Sequence, residues 1–192
     1  MVDPTPAQRA RRQRIVRSAL ELLEQRPYDQ IQIRDVAERA DVALGTLYRY
    51  FPSKEQLFAH VLLEWSSSFA DAIGRRRPER DSDAERLRTA LRRAVGAFER
   101  NPNFFQLITV LEVATDPDVV APFTEYSDAF IAVVEGAMRD TDEAQTAVVV
   151  GLAIALLWSL LREWSHDRCT IREVNNRIDA SIEVVFEGAR TR

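Results

Sequence analysis

The segment Ile33-Arg-Asp-Val-Ala-Glu-Arg-Ala-Asp-Val-Ala-Leu-Gly-Thr-Leu-Tyr-Arg-Tyr-Phe-Pro-Ser-Lys54 restricts the fold more than any other part of the chain. It reads as a short amphipathic helix, a polar turn, a second short helix and the capped start of a third. Val36, Ala37 and Ala40 share one helical face, and Arg34, Glu38 and Arg39 share the other. Asp41 falls at the turn, where a short polar side chain tolerates unusual backbone angles. Val42 and Leu47 supply the apolar plugs between the two helices, and Gly45 is expected to let their backbones approach closely. The arrangement predicted is a helix-turn-helix.

Helix starts are legible along the whole chain. Thr5-Pro6-Ala7-Gln8 offers a capping threonine, a proline in the first turn and a glutamine placed to return the hydrogen bond. Ser53 with Gln56, Ser82 with Glu85 and Thr170 with Glu173 repeat that spacing. Asn101-Pro102 and Asp116-Pro117 pair a capping side chain with proline. Nine helices are predicted, near 6–26, 33–40, 44–50, 54–76, 83–100, 102–114, 117–138, 142–165 and 170–189. No strand pattern competes with them, so the fold class is all-α. The charged run at 75–81 is the best linker candidate.

The 192 residues suffice for a substantial core, and only six glycines argue against a turn-rich β fold. A single cysteine, Cys169, excludes an internal disulfide and suits a reducing, cytoplasmic setting. The net charge of −4 hides an asymmetry. Residues 1–54 hold ten basic and seven acidic side chains, net +3, with Arg9, Arg11, Arg12, Arg14 and Arg17 clustered; residues 55–192 are net −7. Nucleic-acid affinity follows such a local basic footprint rather than whole-chain charge. The fifteen apolar-rich residues Ala147–Leu161 are shorter than the roughly 20 a membrane span needs. A buried helix is expected there, with no membrane partner.

The run Gly45-Thr46-Leu47-Tyr48-Arg49-Tyr50-Phe51 with Ser53-Lys54, following a Val-Ala-x-x-Ala helix, resembles the DNA-binding motif of the TetR family of bacterial transcription regulators. The same run is similar to that of steroid-catabolism repressors within the family. The resemblance implies an N-terminal three-helix DNA-binding domain at 1–54, continued by a linking helix at 54–76. It also implies a helical ligand-binding and dimerisation domain at 55–192. The implied function is regulation of transcription, most simply as a repressor. Such a protein binds a palindromic operator in double-stranded DNA as a homodimer and is released by a small-molecule effector.

Gln32, Arg34, Ala43, Leu44, Gly45, Thr46, Tyr48, Tyr50 and Lys54 are the positions the resemblance carries to DNA. Arg34 is the first candidate to read a base, because a planar guanidinium pairs with guanine O6 and N7 together. Leu44 and Gly45 open the recognition helix. Thr46, Tyr48 and Tyr50 offer hydroxyls to phosphates. Lys54 adds its charge to the positive end of the next helix. Gln32 and Ala43 stand where many members have Thr or Ser, so neither is a good short-chain cap. Leu47 and Phe51 are expected in the core. Arg9, Arg11 and Arg12 are placed either to reach a minor groove or to steer DNA electrostatically.

Ile171, Val174, Ile178, Ile182 and Val185 form a narrow apolar seam at spacings of three and four. With Val148, Leu152 and Leu156 on the preceding apolar helix they make the expected dimer interface. Phe69, Phe98, Phe104, Phe105, Ile108, Leu111, Phe123, Phe130 and Trp158 are candidates for a hydrophobic effector pocket. Glu112 and Tyr126 are its candidate polar groups. Neither His60 nor His166 stands in a catalytic or metal-spaced set, so neither an enzyme, a metal nor a cofactor is expected. Two alternatives stay open. One is a helical interaction protein using the 171–189 seam for another partner; the other is an activator.

Overall fold

The computed structural model describes residues 5–74 and 81–190, with side chains for 5–66 and 81–186. The predicted linker, Asp81 excepted, and the side chain of Phe69 lie outside these residues. Among them are nine α-helices and no strand. In order these are α1 (Pro6–Gln25), α2 (Ile33–Arg39), α3 (Leu44–Tyr50), α4 (Lys54–Gly74), α5 (Asp83–Arg100), α6 (Pro102–Leu111), α7 (Pro117–Glu135), α8 (Glu143–Ser165) and α9 (Ile171–Arg190). A short 3-10 turn, Tyr28–Gln30, follows Pro27 and was not anticipated. Helices α6 and α7 each end about three residues earlier than expected, at Leu111 and Glu135.

Three of the four predicted reciprocal caps are present as paired hydrogen bonds among the described residues. Gln8 donates its main-chain N–H to Thr5 Oγ1 at 3.2 Å, and Thr5 N–H donates to Gln8 Oε1 at 2.7 Å. Ser82 with Glu85 and Thr170 with Glu173 close the same reciprocal loop. Each satisfies donors that a helix start otherwise leaves unpaired.

The chain forms two compact units. The first comprises residues 1–66 and 103–126. Ile15, Ala19 and Leu23 of α1, Val36 of α2, Leu47 of α3 and Leu57, Phe58 and Leu62 of α4 are essentially inaccessible and form its core. Helix α6 belongs to the same unit because its apolar residues pack there. Trp65 stacks on Phe104 with ring centres 4.5 Å apart, and Asn103 Nδ2 donates to Leu23 O at 2.8 Å. This division differs from the expected boundary at residue 54, since nothing local in α6 marks which core its aromatics join.

The second unit comprises residues 67–102 and 127–192. Helix α5 buries Leu87, Ala90, Leu91, Ala94, Val95 and Phe98. Trp158 of α8 packs against Phe98 and Phe130, with centroids 5.6 and 5.5 Å away. At the start of α5, Asp83 and Arg86 are both buried. Arg86 bonds Asp83 and Asp140 and donates to Ala137 O at 2.8 Å. Asp83 accepts from Arg139 N–H, Asp140 N–H and the Thr141 hydroxyl. This network ties the α7–α8 connection to α5.

One expectation about α9 is overturned. Val174 and Ile178 are fully buried and Ile182 is 4% exposed, because α9 packs along α5 and α8 of its own protomer. These three side chains are consumed inside the unit and are not exposed to a second copy. Arg92 and Arg88 of α5 reinforce that packing by pairing with Asp179. The exposed apolar residues lie elsewhere: Val148 and Leu152 on α8 are 62% and 60% exposed, and Val184 on α9 is 72% exposed. Helix α8 has the length and apolarity of a membrane span, yet Val149, Val150, Leu157, Leu160 and Leu161 are buried in the unit. Only one of its faces is apolar and open, so the helix is not buried all round as expected.

Candidate nucleic-acid interface

The turn between α2 and α3 has the strained geometry expected of it. Asp41 adopts a positive φ of 51° and donates its N–H to Glu38 O, while Val42 N–H reaches back to Ala37 O at 3.0 Å. Asp tolerates this left-handed region better than most residues. Leu47 and Phe51 are buried, as their wheel positions require, and hold α3 across α2.

Three arginines and one acid fix the frame around this pair. Arg14 Nε donates to Ala40 O at 2.8 Å, satisfying a carbonyl at the end of α2. Arg26 bonds Asp35 at 2.5 Å, and Asp35 accepts the Gln32 N–H at the start of α2. Its carboxyl is held below the usual range, first by that backbone bond and then, against the burial that raises it, by Arg26. Arg12 lies over the Phe51 ring, 4.9 Å from its centre, so this arginine braces the end of α3. Of the basic cluster read in α1, Arg12 and Arg14 therefore have structural tasks that composition could not reveal.

The remaining residues present an outer face. Leu44 and Tyr48 are 44% and 46% exposed, unusual for side chains of this kind. They stand one turn apart with Gly45 beside them. Gln32 and Ala43 are exposed, and Ala43 has no polar group with which to cap α3. Thr46 and Tyr50 are half-buried. Arg34 is 73% exposed at the start of α2, with Asp35 3.8 Å away.

Two predicted roles change. Gly45 does not serve helix–helix approach: a Cβ built there would meet nothing within 4 Å. Its space opens outward. Lys54 is not a free phosphate clamp either. Its ammonium donates to Tyr28 O at 2.5 Å and lies 3.9 Å from the centre of the Tyr28 ring. Burial lowers its pKa, partly opposed by Glu55 and Asp29. Proline 27 was the available signal for that turn, but its partner 26 residues downstream was not readable.

The comparisons with known proteins bear on this geometry. Residues 15–61 match the family model described as bacterial regulatory proteins, tetR family, and residues 81–185 match the tetracycline repressor-like C-terminal domain. The chain belongs to the TetR family. Across 96% of this chain and 87% of its relative, it is 33% identical to the HTH-type transcriptional repressor KstR of Rhodococcus jostii (strain RHA1). It is 25% identical to the HTH-type transcriptional activator FasR of Mycolicibacterium smegmatis, over 93% of this chain and 82% of that one. A TetR transcriptional regulator from Rhodococcus sp. RHA1 superimposes with a TM-score of 0.78 at 25% identity, covering 93% of this chain and 96% of that one. This TetR-family chain is thus a DNA-binding transcriptional regulator.

The effector-pocket candidates fall in both units. Phe104, Phe105, Ile108, Leu111 and Tyr126 are buried in the first, where Phe123 is half-buried; Phe98 and Phe130 are buried in the second, with Trp158 half-buried. Glu112 lies just past α6 and is exposed. Tyr126 is the more informative polar group. It is 1% exposed, and its hydroxyl has no hydrogen-bond partner among the described residues. Burial raises its pKa, so it is a neutral donor. A separate apolar groove of about 110 Å³ opens between α5, α8 and α9, beside Leu152, Leu156 and Val185.

Proposed function

We propose that the protein is a repressor that binds a palindromic operator as a homodimer and is released by a small hydrophobic effector. Residues 1–54 read DNA in this scheme, and residues 55–192 carry effector binding and dimerisation. It acts in the cytoplasm on chromosomal DNA and does so by binding, without catalysis. The observation that carries the reading is the outer face of α3, where Leu44, Gly45 and Tyr48 are left exposed around space that the fold does not use. Burying such a face in a major groove removes its cost.

Dimerisation is supported by the exposed Val148, Leu152 and Val184 and by the adjoining groove. A second copy related by a twofold axis would cover the same residues on both protomers. It would also set two recognition helices about one DNA turn, roughly 34–36 Å, apart. Ile171, Leu156 and Val185, which are half-buried, remain candidates at the edge of that contact. The seam alone no longer supports a different helical partner, since the protomer consumes it.

An effector is supported by the unpaired Tyr126 hydroxyl, buried in the same unit as Phe104, Phe105 and Ile108 and a donor suited to a carbonyl or ester oxygen. Leaving that donor unmatched costs about 1–3 kcal/mol, which a ligand acceptor would offset. To clear the operator, the effector must bind better to the conformer that cannot hold DNA. Repression follows the named role of the Rhodococcus jostii relative, and activation that of the FasR relative.

The test is mobility shift on DNA upstream of the protein's own reading frame, with sedimentation of the complex. Steroid and long-chain acyl-CoA probes are then titrated in. A shifted band holding two protomers, dissolved by one probe class, supports the reading. A one-protomer complex or a band indifferent to every hydrophobic probe counts against it. Reporter output in a deletion strain separates repression from activation.

A further inference from the structure

Arg49 is the only charged residue between Val42 and Ser53, in the last turn of the recognition helix. It is exposed. Other arginines of the reading head are occupied: Arg14 on Ala40 O, Arg26 on Asp35, Arg39 on Glu21 at 2.8 Å, and Arg12 over Phe51. Arg49 meets no carboxylate among the described residues. Its one hydrogen bond among the described residues is a long one, from Nη2 to Thr46 Oγ1 at 3.5 Å.

That contact shows the direction of the side chain. Helical side chains lean toward the N-terminus of their helix, and Arg49 folds back a full turn along α3. Its guanidinium is thereby carried from the helix end to the first turn, the part of a recognition helix that meets base edges. Four residues before it stands Gly45, which has no side chain and whose Cβ position is open. No other part of the fold comes within 4 Å of that Cβ position, so nothing fills the space one turn before Arg49.

We propose that Arg49 reads a guanine in each half-site, pairing its two terminal donors with O6 and N7. This rests on α3 being the helix that enters the groove. The other outward side chains of α3, Leu44, Thr46 and Tyr48, offer no donor or one hydroxyl each, and none makes a two-donor pair. Arg49 does, and arginine to guanine is the most frequent such contact. The weak Thr46 bond holds the guanidinium near its working position and is given up when the base is met. Gly45 is the complement of Arg49: the missing side chain makes room for the long one.

The experiment selects duplexes from a randomised library with the wild-type protein. It then compares wild type, Arg49→Ala, Arg49→Lys and Arg34→Ala on the selected sequence and on all its single-base variants, across a salt series. Circular dichroism melts accompany each variant. The expected result is a loss of about 5- to 150-fold for Arg49→Ala on the selected duplex, with preference for guanine erased at one position per half-site and kept elsewhere. The salt slope should stay near that of wild type. Arg49→Lys keeps the charge but loses the paired geometry, and should not restore the guanine preference. A uniform loss on all duplexes, with the salt slope reduced by about one and rescue by Lys, would make Arg49 a phosphate contact and overturn the proposal. Unchanged affinity and profile would overturn it too. If wild type selects no sequence at all, the reading of α3 itself fails; Arg34→Ala losing specificity while Arg49→Ala does not confines the failure to Arg49.

Discussion

Lys54 donates its ammonium to the main-chain oxygen of Tyr28 and sits against the face of the same residue's ring, 3.9 Å from its centre. The Tyr28 ring also meets Phe58 edge-on at 5.0 Å. A single lysine at the start of α4 thus fastens the turn that precedes α2 to the helix that follows α3. It is a brace of the reading head before it is a ligand for phosphate. Lys54→Met should destabilise the protein by about 1.5–3 kcal/mol, the range for a hydrogen bond involving a charged group. Urea unfolding measures this. A phosphate role in addition would show as a salt slope of DNA binding lower by about one. Unchanged unfolding with a lower slope would return Lys54 to the purely electrostatic role expected from the sequence.

Gly45→Ala separates stability from function. Glycine inside a helix costs roughly 0.5–1 kcal/mol relative to alanine, and no atom lies within 4 Å of the added Cβ. The substitution should therefore raise the melting temperature. Operator affinity should fall, because the methyl enters the space facing the groove. A variant that melts higher and binds equally well would show that no base or side chain needs that space.

Much of this architecture is legible in the sequence where its determinants are local. Thr5 with Gln8, Ser82 with Glu85 and Thr170 with Glu173 are three residues apart, and each pair closes the predicted cap. Asp41 carries the predicted left-handed turn. The readings that changed depend on distant partners. The period of Val174, Ile178 and Ile182 declares a buried face, but a period cannot say that α5, some 80 residues earlier, covers it. Gly45 announces closeness or openness equally until its neighbours are placed. Tyr28 and Lys54, or Asp83 and Thr141, meet only once the chain has folded.

The buried network at the start of α5 predicts an acid limit to stability. Burial pushes the Asp83 carboxyl up, but bonds from Arg139, Thr141, Arg86 and Asp140 outweigh it and hold the group at about 2. A carboxylate depressed in the folded state stabilises fully above its unfolded value, near 3.9, and loses that contribution as pH falls toward 2. Asp83→Ala leaves Arg86 buried without that partner and should cost about 3–5 kcal/mol at pH 7. The gap between wild type and variant should narrow between about pH 4 and pH 2 in denaturant titrations. A gap that stays constant through that window would mean the carboxylate charge is not what the network uses.

His60 sets a second and higher window. It packs on Phe51 with ring centres 5.6 Å apart, and burial, aided by the Arg12 charge, lowers its pKa to about 4. The unfolded chain takes up this proton near 6.5, so unfolding binds a proton at intermediate pH. Stability from neutral His60 is complete above about 6.5 and declines as pH falls toward 4. The urea midpoint should drop from pH 7 to pH 5 in wild type, and His60→Phe should flatten that drop. An equal drop in both proteins would place the titrating group elsewhere.

Leu152 and Ile178 are both apolar and both near the α5–α8–α9 groove, yet they should fail in opposite ways. Leu152 is 60% exposed, so a charge there leaves the protomer's interior untouched. If its face meets a second copy, Leu152→Glu buries an unpaired charge at the contact, and association should collapse. Light scattering should then report monomers with full helical content, and operator binding should be lost because two reading heads are no longer held in register. Ile178 is fully buried against its own protomer. Ile178→Ala should leave the assembly intact under native conditions but lower the unfolding free energy by about 2–5 kcal/mol through the cavity it creates. The reverse pattern, with Ile178→Ala releasing monomers and Leu152→Glu remaining assembled, would restore the α9 seam as the contact between copies.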